Sequence, residues 1–450
     1  MELRHEAVEH QDVEASADLQ ALLSWAQAHG AVYPKLKYPV HFPPGYPGAL
    51  ATAPIGPQET IVQVPMSLLL NAEKGEASPI APVYEEFPEV FQTHPSKDMF
   101  KLVAYIAYEI GKGEESFWAP FLKTFPKDVE VLSDWSEAEL EELEDVFLSS
   151  EVAARKKLLH GEWDVLKPAL DSHPDWFPPA LVNYETYYWL WKISLTRAFG
   201  RFKPSPSLIP VAEYVNHEFS YTHYIIGSPD SSFRGFPLFD DYDHPQLDPD
   251  LCQEPYPLME LIKLQIALAA RVQDSVQAKD QVEMLETWCS AVSAASEGAT
   301  EPPAHTSFTA LETEGKEDQA MVFRLVSGEN EYYEPGSQLF LFYGQYSNRQ
   351  LLLNYGFTLP FNVYNFALVF LNLKQFANKF PRLSDADPSK YLVFKMRELQ
   401  LCTAFINTVR ALYWDPNTQL ATDLIKGFSY PHEAAVLMSC KEIVNLYLRS

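Results

Sequence analysis

Apolar residues in 16–29, "SADLQALLSWAQAH", recur at helical spacing, with Leu19, Leu22, Leu23 and Ala26 on one face. Ser16 stands where an N-cap hydroxyl accepts from the first turn, and Gly30 stands where a helix ends, so the spacing predicts a capped helix. The pattern then shortens. Residues 43–70, "PPGYPGALATAPIGPQETIVQVPMSLLL", alternate turn residues with β-branched runs and predict several small strands joined by tight turns. From about Pro82 to Phe199 the period is helical again, and Ser136 with Glu139 predicts a capping box. Strand signals return in 207–217, "SLIPVAEYVNH", and in 320–344, "AMVFRLVSGENEYYEPGSQLFLFYG", with a turn at Pro335-Gly336. Between these two runs, 221–320 reads as an insertion. A Pro/Asp-rich stretch with mobile edges is expected around a helix bearing Leu261, Ile262, Leu264 and Leu268. The last ~85 residues are helical, with Pro431 suited to a first turn.

The stretch "LFLFYGQYSNRQLLLNYGF", 339–357, starts as an apolar strand and breaks at Tyr343-Gly344. It restarts as a Leu-rich helix and ends in Tyr355-Gly356-Phe357. Two tyrosines and Asn348 around one turn are compatible with packing alone, since a tyrosine closing a buried strand is commonly core with its hydroxyl tied off.

Composition narrows the class. A chain of 450 residues that is 47% hydrophobic and 14% aromatic can bury substantial cores and is expected to be folded and soluble. The net charge of −27 argues against nonspecific nucleic-acid binding and permits attraction to basic partners. Cys252, Cys289, Cys402 and Cys440 show no metal-binding spacing, so neither a structural metal nor a disulfide framework is expected. The N-terminal residues lack the apolar run of a signal peptide, and no window approaches a membrane span. An intracellular protein of cytoplasm or nucleus, with no membrane contact, is the expectation.

The order of several motifs resembles the SET-domain methyltransferases of the Rubisco large-subunit methyltransferase type. "GKGEESFWAPFLKTFPKDVEVLSDWSEAELEEL" is similar to that family's helical insert, and "TRAF" (196–199) to the segment that re-enters its core. "LIPVAEYVNHE" is similar to its Asn-His strand, and "YEPGSQLFLFYGQYSNRQLLLNYGF" to the segment that threads its pseudoknot. The Asn-His pair alone is unspecific, whereas the Trp118-centred motif in order with the other two is not. The resemblance implies an α+β fold. It places the N-terminal part of the SET domain in 1–81, a helical insert in 82–195 and the rest of the SET domain in 196–366, interrupted by the 221–320 insertion. A helical substrate-binding domain, apparently shortened at "NLYLRS", follows in 367–450.

It further implies S-adenosylmethionine as cofactor and a protein substrate with an accessible lysine, bound without nucleic acid. By resemblance Tyr343 stands beside the transferring methyl, and Tyr355, Phe199 and Arg197 belong to the substrate side. Asn216 takes the cofactor's amino-acid end and His217 its adenine side, with Glu213, Thr196, Gly48 and Pro47 in the same pocket. Asn348 is expected to fix its turn.

The chain departs from the family at three places. "GYPGAL" replaces an acidic residue followed by Gly-x-Gly-Leu, so that only Gly48 aligns and Pro47 removes an amide donor. Glu213 stands for Asp, and Glu218 for Ser. These departures leave two alternatives beside a protein-lysine methyltransferase: a SET-fold binding scaffold with weak or no catalysis, and a protein-histidine methyltransferase. Family members that methylate histidine carry Asn at the place of Phe199 and Trp at that of Ala212. An amide there suits the fixing of an imidazole tautomer, so Phe199 favours lysine.

Overall fold

A computed structural model describes residues 2–200, 206–229, 321–344, 346–362, 364–371, 374, 378–379, 392–397, 403–413 and 430–447. The expected helix and mobile edges of the 221–320 insertion fall outside the described residues from 230 onward. The chain divides into two compact units, Met1–Leu238 with Lys316–Phe361, and Phe239–Gly315 with Asn362–Ser450.

In the first unit, β1 (Leu3–His5) and β2 (Gln11–Asp12) precede α1 (Ala17–Ala28). Ser16 Oγ accepts from the Leu19 N–H at 3.2 Å, as the N-cap pattern predicts, and Leu19, Leu22 and Ala26 are buried. Next come β3 (Leu36–Phe42), β4 (Tyr46–Ala51), β5 (Thr60–Pro65) and β6 (Leu70–Asn71). The short helices α2 (Ala72–Glu76), α3 (Ala81–Glu86) and α4 (Pro88–Phe91) lead into α5 (Lys97–Gly111), α6 (Ala119–Leu122), α7 (Glu137–Glu142), α8 (Val146–Asp171) and α9 (Tyr184–Arg197). At α7 the predicted capping box is formed: Ser136 Oγ accepts from Glu139 N, and Glu139 Oε2 accepts from Ser136 N.

The strands after the helices are short: β7 (Ser207–Leu208), β8 (Asn216–His217), β9 (His223–Gly227), β10 (Val322–Val326), β11 (Glu331–Tyr333) and β12 (Phe340–Leu341). They form small sheets: β5-β10-β9 and β2-β3-β4 antiparallel, β6-β7 antiparallel, and two parallel pairs, β1-β11 and β12-β8. Sequence 207–217 is therefore two strand fragments rather than one continuous strand. Val211 at φ +70° and a 3-10 turn over Ala212–Tyr214 separate them. A β-branched residue in the left-handed region is strained, and the turn it makes buries Ala212 and Tyr214.

Two cores organise this unit. One lies among the helices α3 to α9 around Phe100, Tyr105, Trp118, Phe121, Trp163 and Tyr187. The other lies among the strands around Ile55, Val62, Val64, Phe323, Leu325 and Leu339. The helix α10 (Asn348–Tyr355) begins at Ser347, which forms a capping box with Gln350, and ends at Gly356 in the left-handed conformation. Its Leu353 joins Leu132, Leu140, Leu148 and Val152 in a third cluster.

In the second unit, β13 (Phe366–Leu371) pairs antiparallel with β14 (Leu392–Arg397). The helices α11 (Thr403–Tyr413) and α12 (Tyr430–Tyr447) pack on each other, burying Phe405, Val409, Leu412, Val436 and Ile443. No described helix is long and apolar enough to cross a membrane. Among the described residues no cluster of metal-ligating side chains occurs.

Candidate active site

The parallel pair β8-β12 sets Asn216 opposite Phe340 and His217 opposite Leu341, which brings the Asn-His strand beside the Tyr343-Gly344 turn. The Tyr343 N–H donates to His217 Nδ1 at 3.0 Å. A backbone amide is always a donor, so Nδ1 is the unprotonated nitrogen and the ring proton sits on Nε2. The Leu341 carbonyl, 3.2 Å from the same Nδ1, gains a full hydrogen bond only when the ring is protonated. Burial lowers the pKa of His217 to about 4 against that opposing pull, so the ring is neutral at pH 7.

The hydroxyl of Tyr343 donates to the Val215 carbonyl at 2.9 Å. Its ring stacks on His217 with centroids 4.9 Å apart and lies 5.3 Å from Tyr355, which in turn neighbours Tyr346 at 5.9 Å and Phe357 at 6.1 Å. Burial, with the nearby Tyr355 adding to it, raises the phenol of Tyr343 well above its ordinary range, so it stays protonated.

On the other side of Asn216 lies the Gly48 turn. Asn216 Nδ2 donates to the Pro47 carbonyl at 2.9 Å. A Cβ at Gly48 would stand 2.8 Å from both Asn216 Nδ2 and Gln338 Nε2, so only glycine admits the two amides this close to the strand. The Tyr46 hydroxyl donates to Gln338 Oε1 at 3.2 Å, and Gln338 Nε2 is a buried donor without a partner. Sequence reasoning missed Gln338, Tyr46 and the Val215 carbonyl. The first two sit inside motifs read for their glycines, and a main-chain acceptor leaves no mark in residue type.

The "TRAF" segment supplies a part-buried arginine that pairs with a buried carboxylate. Arg197 Nη1 lies 3.3 Å from Glu213 Oε1, and Glu213 Oε2 is buried with no partner. Burial raises the Glu213 pKa, and Arg197 opposes it. Thr196 turns back on its own helix, donating to the Lys192 carbonyl at 2.8 Å. Phe199 is buried edge-on to Phe323 and Tyr224, at 5.1 and 5.7 Å, within the strand core. Asn348 fixes the turn, as expected: its Nδ2 donates to the Leu359 carbonyl and its Oδ1 accepts from the Leu359 N–H. The structure thus gathers Asn216, His217, Gly48, Pro47, Tyr343 and Tyr355 around one place, while the Thr196 hydroxyl is bonded to its own helix and Phe199 is packed in the strand core.

The fold is shared with solved structures. The chain superposes on the SET domain of LSMT bound to lysine and AdoHcy with a TM-score of 0.55 at 17% identity, covering 94% of this chain and 76% of that one. Rubisco LSMT bound to AdoMet gives 0.53 at 18% identity, with 94% and 76% covered. The chain has the SET-domain fold of the Rubisco large-subunit methyltransferase type.

Sequence likenesses agree. The Rubisco large-subunit N-methyltransferase of Pisum sativum is 24% identical over 208 residues, 46% of this chain and 40% of that protein. The aldolase-lysine N-methyltransferase of Arabidopsis thaliana is 28% identical over 196 residues, 43% and 38%. The actin-histidine N-methyltransferase of Xenopus tropicalis is 23% identical over 205 residues, 44% and 34%. The matched stretch spans about two fifths of the length of the first two relatives. No family model matches the chain.

Proposed function

We propose that the protein is an S-adenosylmethionine-dependent protein-lysine N-methyltransferase. The observation that carries this reading is the fixed Tyr343 hydroxyl, tied to the Val215 carbonyl on a ring whose centroid lies 5.3 Å from that of Tyr355, beside a neutral His217. The residues fit the cofactor. Its zwitterionic tail needs amides rather than a phosphate cradle, and the Gly48 turn brings together Asn216 and the unpartnered amide of Gln338. When bound, S-adenosylmethionine supplies a methyl group on sulfur that is open to attack by an amine.

The chain's own residues then have two tasks. A lysine ammonium, with a reference pKa of about 10.4, must lose a proton before its lone pair is available. The rings of Tyr343 and Tyr355 bind the cation by their faces and remove water from it, which favours the neutral amine. Tyr343 is not the base. Its pKa is raised and its proton is committed to Val215, so its oxygen offers only lone pairs, which accept from the amine N–H and hold the nitrogen in line. The amine's proton leaves to solvent.

Lysine is favoured over histidine because Phe199 offers no amide, and its ring is packed between Phe323 and Tyr224. Labelled cofactor added to a cell extract, followed by mass spectrometry of the modified protein, tests the reading. Methyl-lysine is expected; methyl on histidine with lysines untouched overturns the lysine assignment, and absence of calorimetric binding of S-adenosylmethionine overturns the enzyme.

A further inference from the structure

We infer that the helical insert sets the position of Tyr355, acting through Arg155 and Arg349, and so sets the opening between Tyr355 and Tyr343; the substrate part of this inference rests on the proposed function. The helix α10 carries Tyr355 at its last position and is gripped at both ends by the insert. Near its start, Arg349 spans two carboxylates of the insert, with Nη1 2.8 Å from Asp145 Oδ2 and Nη2 3.1 Å from Glu151 Oε2. Asp145 is itself held, because its Oδ1 caps α8 by accepting from Leu148 N at 2.9 Å. The guanidinium fork therefore ties the first turn of α10 to the first turns of α8 in one geometry.

Near the end of α10, Arg155 Nη1 donates to the Leu353 carbonyl at 2.9 Å. That carbonyl is one of the last four of the helix, which have no partner within it, and a cation there also meets the negative end of the helix dipole. The Arg155 guanidinium lies 6.0 Å above the Trp191 ring, so its own place is set by the core of the insert. Beyond the last turn, Gly356 runs so close to the insert that a Cβ there would stand 2.5 Å from the Glu130 carbonyl. Tyr355 sits between the Arg155 attachment and this contact. It has little freedom to move without α8 and α9 moving too.

Magnitude decides which readout should change. Ion pairs as exposed as those of Arg349, with Asp145 36% and Glu151 41% exposed, stabilise a fold little. Their effect lies in geometry, and Arg155 and Arg349 are positioning residues rather than catalytic ones. The comparison uses the full chain, the variants Arg155→Met and Arg349→Met, and the conservative Arg155→Lys and Arg349→Lys. Hydrogen exchange is followed over residues 351–357, and calorimetry measures affinity for S-adenosylmethionine and for free L-lysine as the probe.

The methionine variants are expected to exchange faster at 351–357, by about tenfold, with the β5-β10-β9 sheet unchanged. Their L-lysine affinity should fall about five- to tenfold while cofactor affinity holds, because the Gly48 turn and Asn216 lie outside this grip. The lysine variants should recover part of both. Unchanged exchange at 351–357 overturns the inference, as does faster exchange with L-lysine affinity intact in a protein that binds the probe. If the wild-type protein binds neither cofactor nor L-lysine, the proposed function fails instead, and the exchange data alone decide whether the insert holds Tyr355.

Discussion

The Tyr343 phenol donates to a backbone carbonyl and is held in one orientation, a geometry that packing alone also gives and that the proposed role as an acceptor requires, so a substitution that removes only the oxygen separates the two. Tyr343→Phe keeps the ring on His217 and removes only the oxygen. Turnover is expected to fall by about 10²-fold, the scale seen when one positioned polar group is lost from a reaction centre. Cofactor affinity and thermal midpoint should stay where they are, and a mutant with wild-type turnover would return Tyr343 to packing. Asn216 acts on the other half of the site. Asn216→Ala frees the Pro47 carbonyl and removes an amide beside Gly48, so affinity for S-adenosylmethionine should weaken by roughly 1–3 kcal/mol. Calorimetry at matched stability checks this, and normal binding would place the cofactor's tail elsewhere.

At the scale of elements, the α10 C-terminus gives the sharpest stability test. Gly356 has φ +77° and no room for a Cβ beside the Glu130 carbonyl, so Gly356→Ala combines left-handed strain with a clash. A loss of about 2–4 kcal/mol by urea unfolding is expected, and a loss under 1 kcal/mol would mean that this contact with the insert yields easily. The Ser347–Gln350 capping box at the start of α10 went unread, but its end was legible in the sequence, because the Tyr355-Gly356 ending is a local signal. The same holds for Ser16 and Ser136 at α1 and α7. What the sequence hid is of two kinds. Val211 takes a backbone conformation that valine does not favour, so a strand pattern over 207–217 conceals a turn that only the surrounding packing imposes. The groups that complete the site are joined over long separations or through the main chain: Gln338 beside Gly48, the Val215 carbonyl under Tyr343, Arg155 on Leu353. No periodicity registers a contact between residues 198 positions apart.

Across the whole first unit, one buried carboxylate joins segments from both ends of the sequence, and its titration can be separated from that of the site. Glu331 is fully buried. It accepts from His5 Nε2 at 2.8 Å, Ser220 Oγ at 2.8 Å, Thr222 Oγ1 at 2.8 Å, and the backbone N–H groups of Gly328 and Tyr221 at 2.9 and 3.1 Å. The His5 ring stacks on Tyr333 at 4.2 Å, so this one side chain secures β1 on β11 and the loop that follows the Asn-His strand. Burial alone would raise its pKa, but the bonds from His5, Gly328, Thr222 and Ser220 prevail and hold it below the ordinary value. A folded pKa below the unfolded one means that the unfolded chain binds the proton more readily. The stabilisation is therefore complete above an unfolded value near 4.5 and is lost as pH falls below it. His217 acts in the same direction but earlier, since its folded value of about 4 against 6.5 costs stability progressively as pH drops from 6.5 to 4. Urea unfolding across pH should separate the two. His217→Asn should flatten the slope between pH 6.5 and 4, by roughly 1–3 kcal/mol in total, and leave the region below 4 unaltered. Glu331→Gln faces fixed N–H donors with an amide that can accept at only one of its two atoms, so it should lose roughly 2–4 kcal/mol at pH 7 and show a shallower acid limb below about 4.5. If Glu331→Gln keeps both wild-type stability at pH 7 and the wild-type acid limb, the carboxylate is not what joins the N-terminal strand to the strands that carry the site.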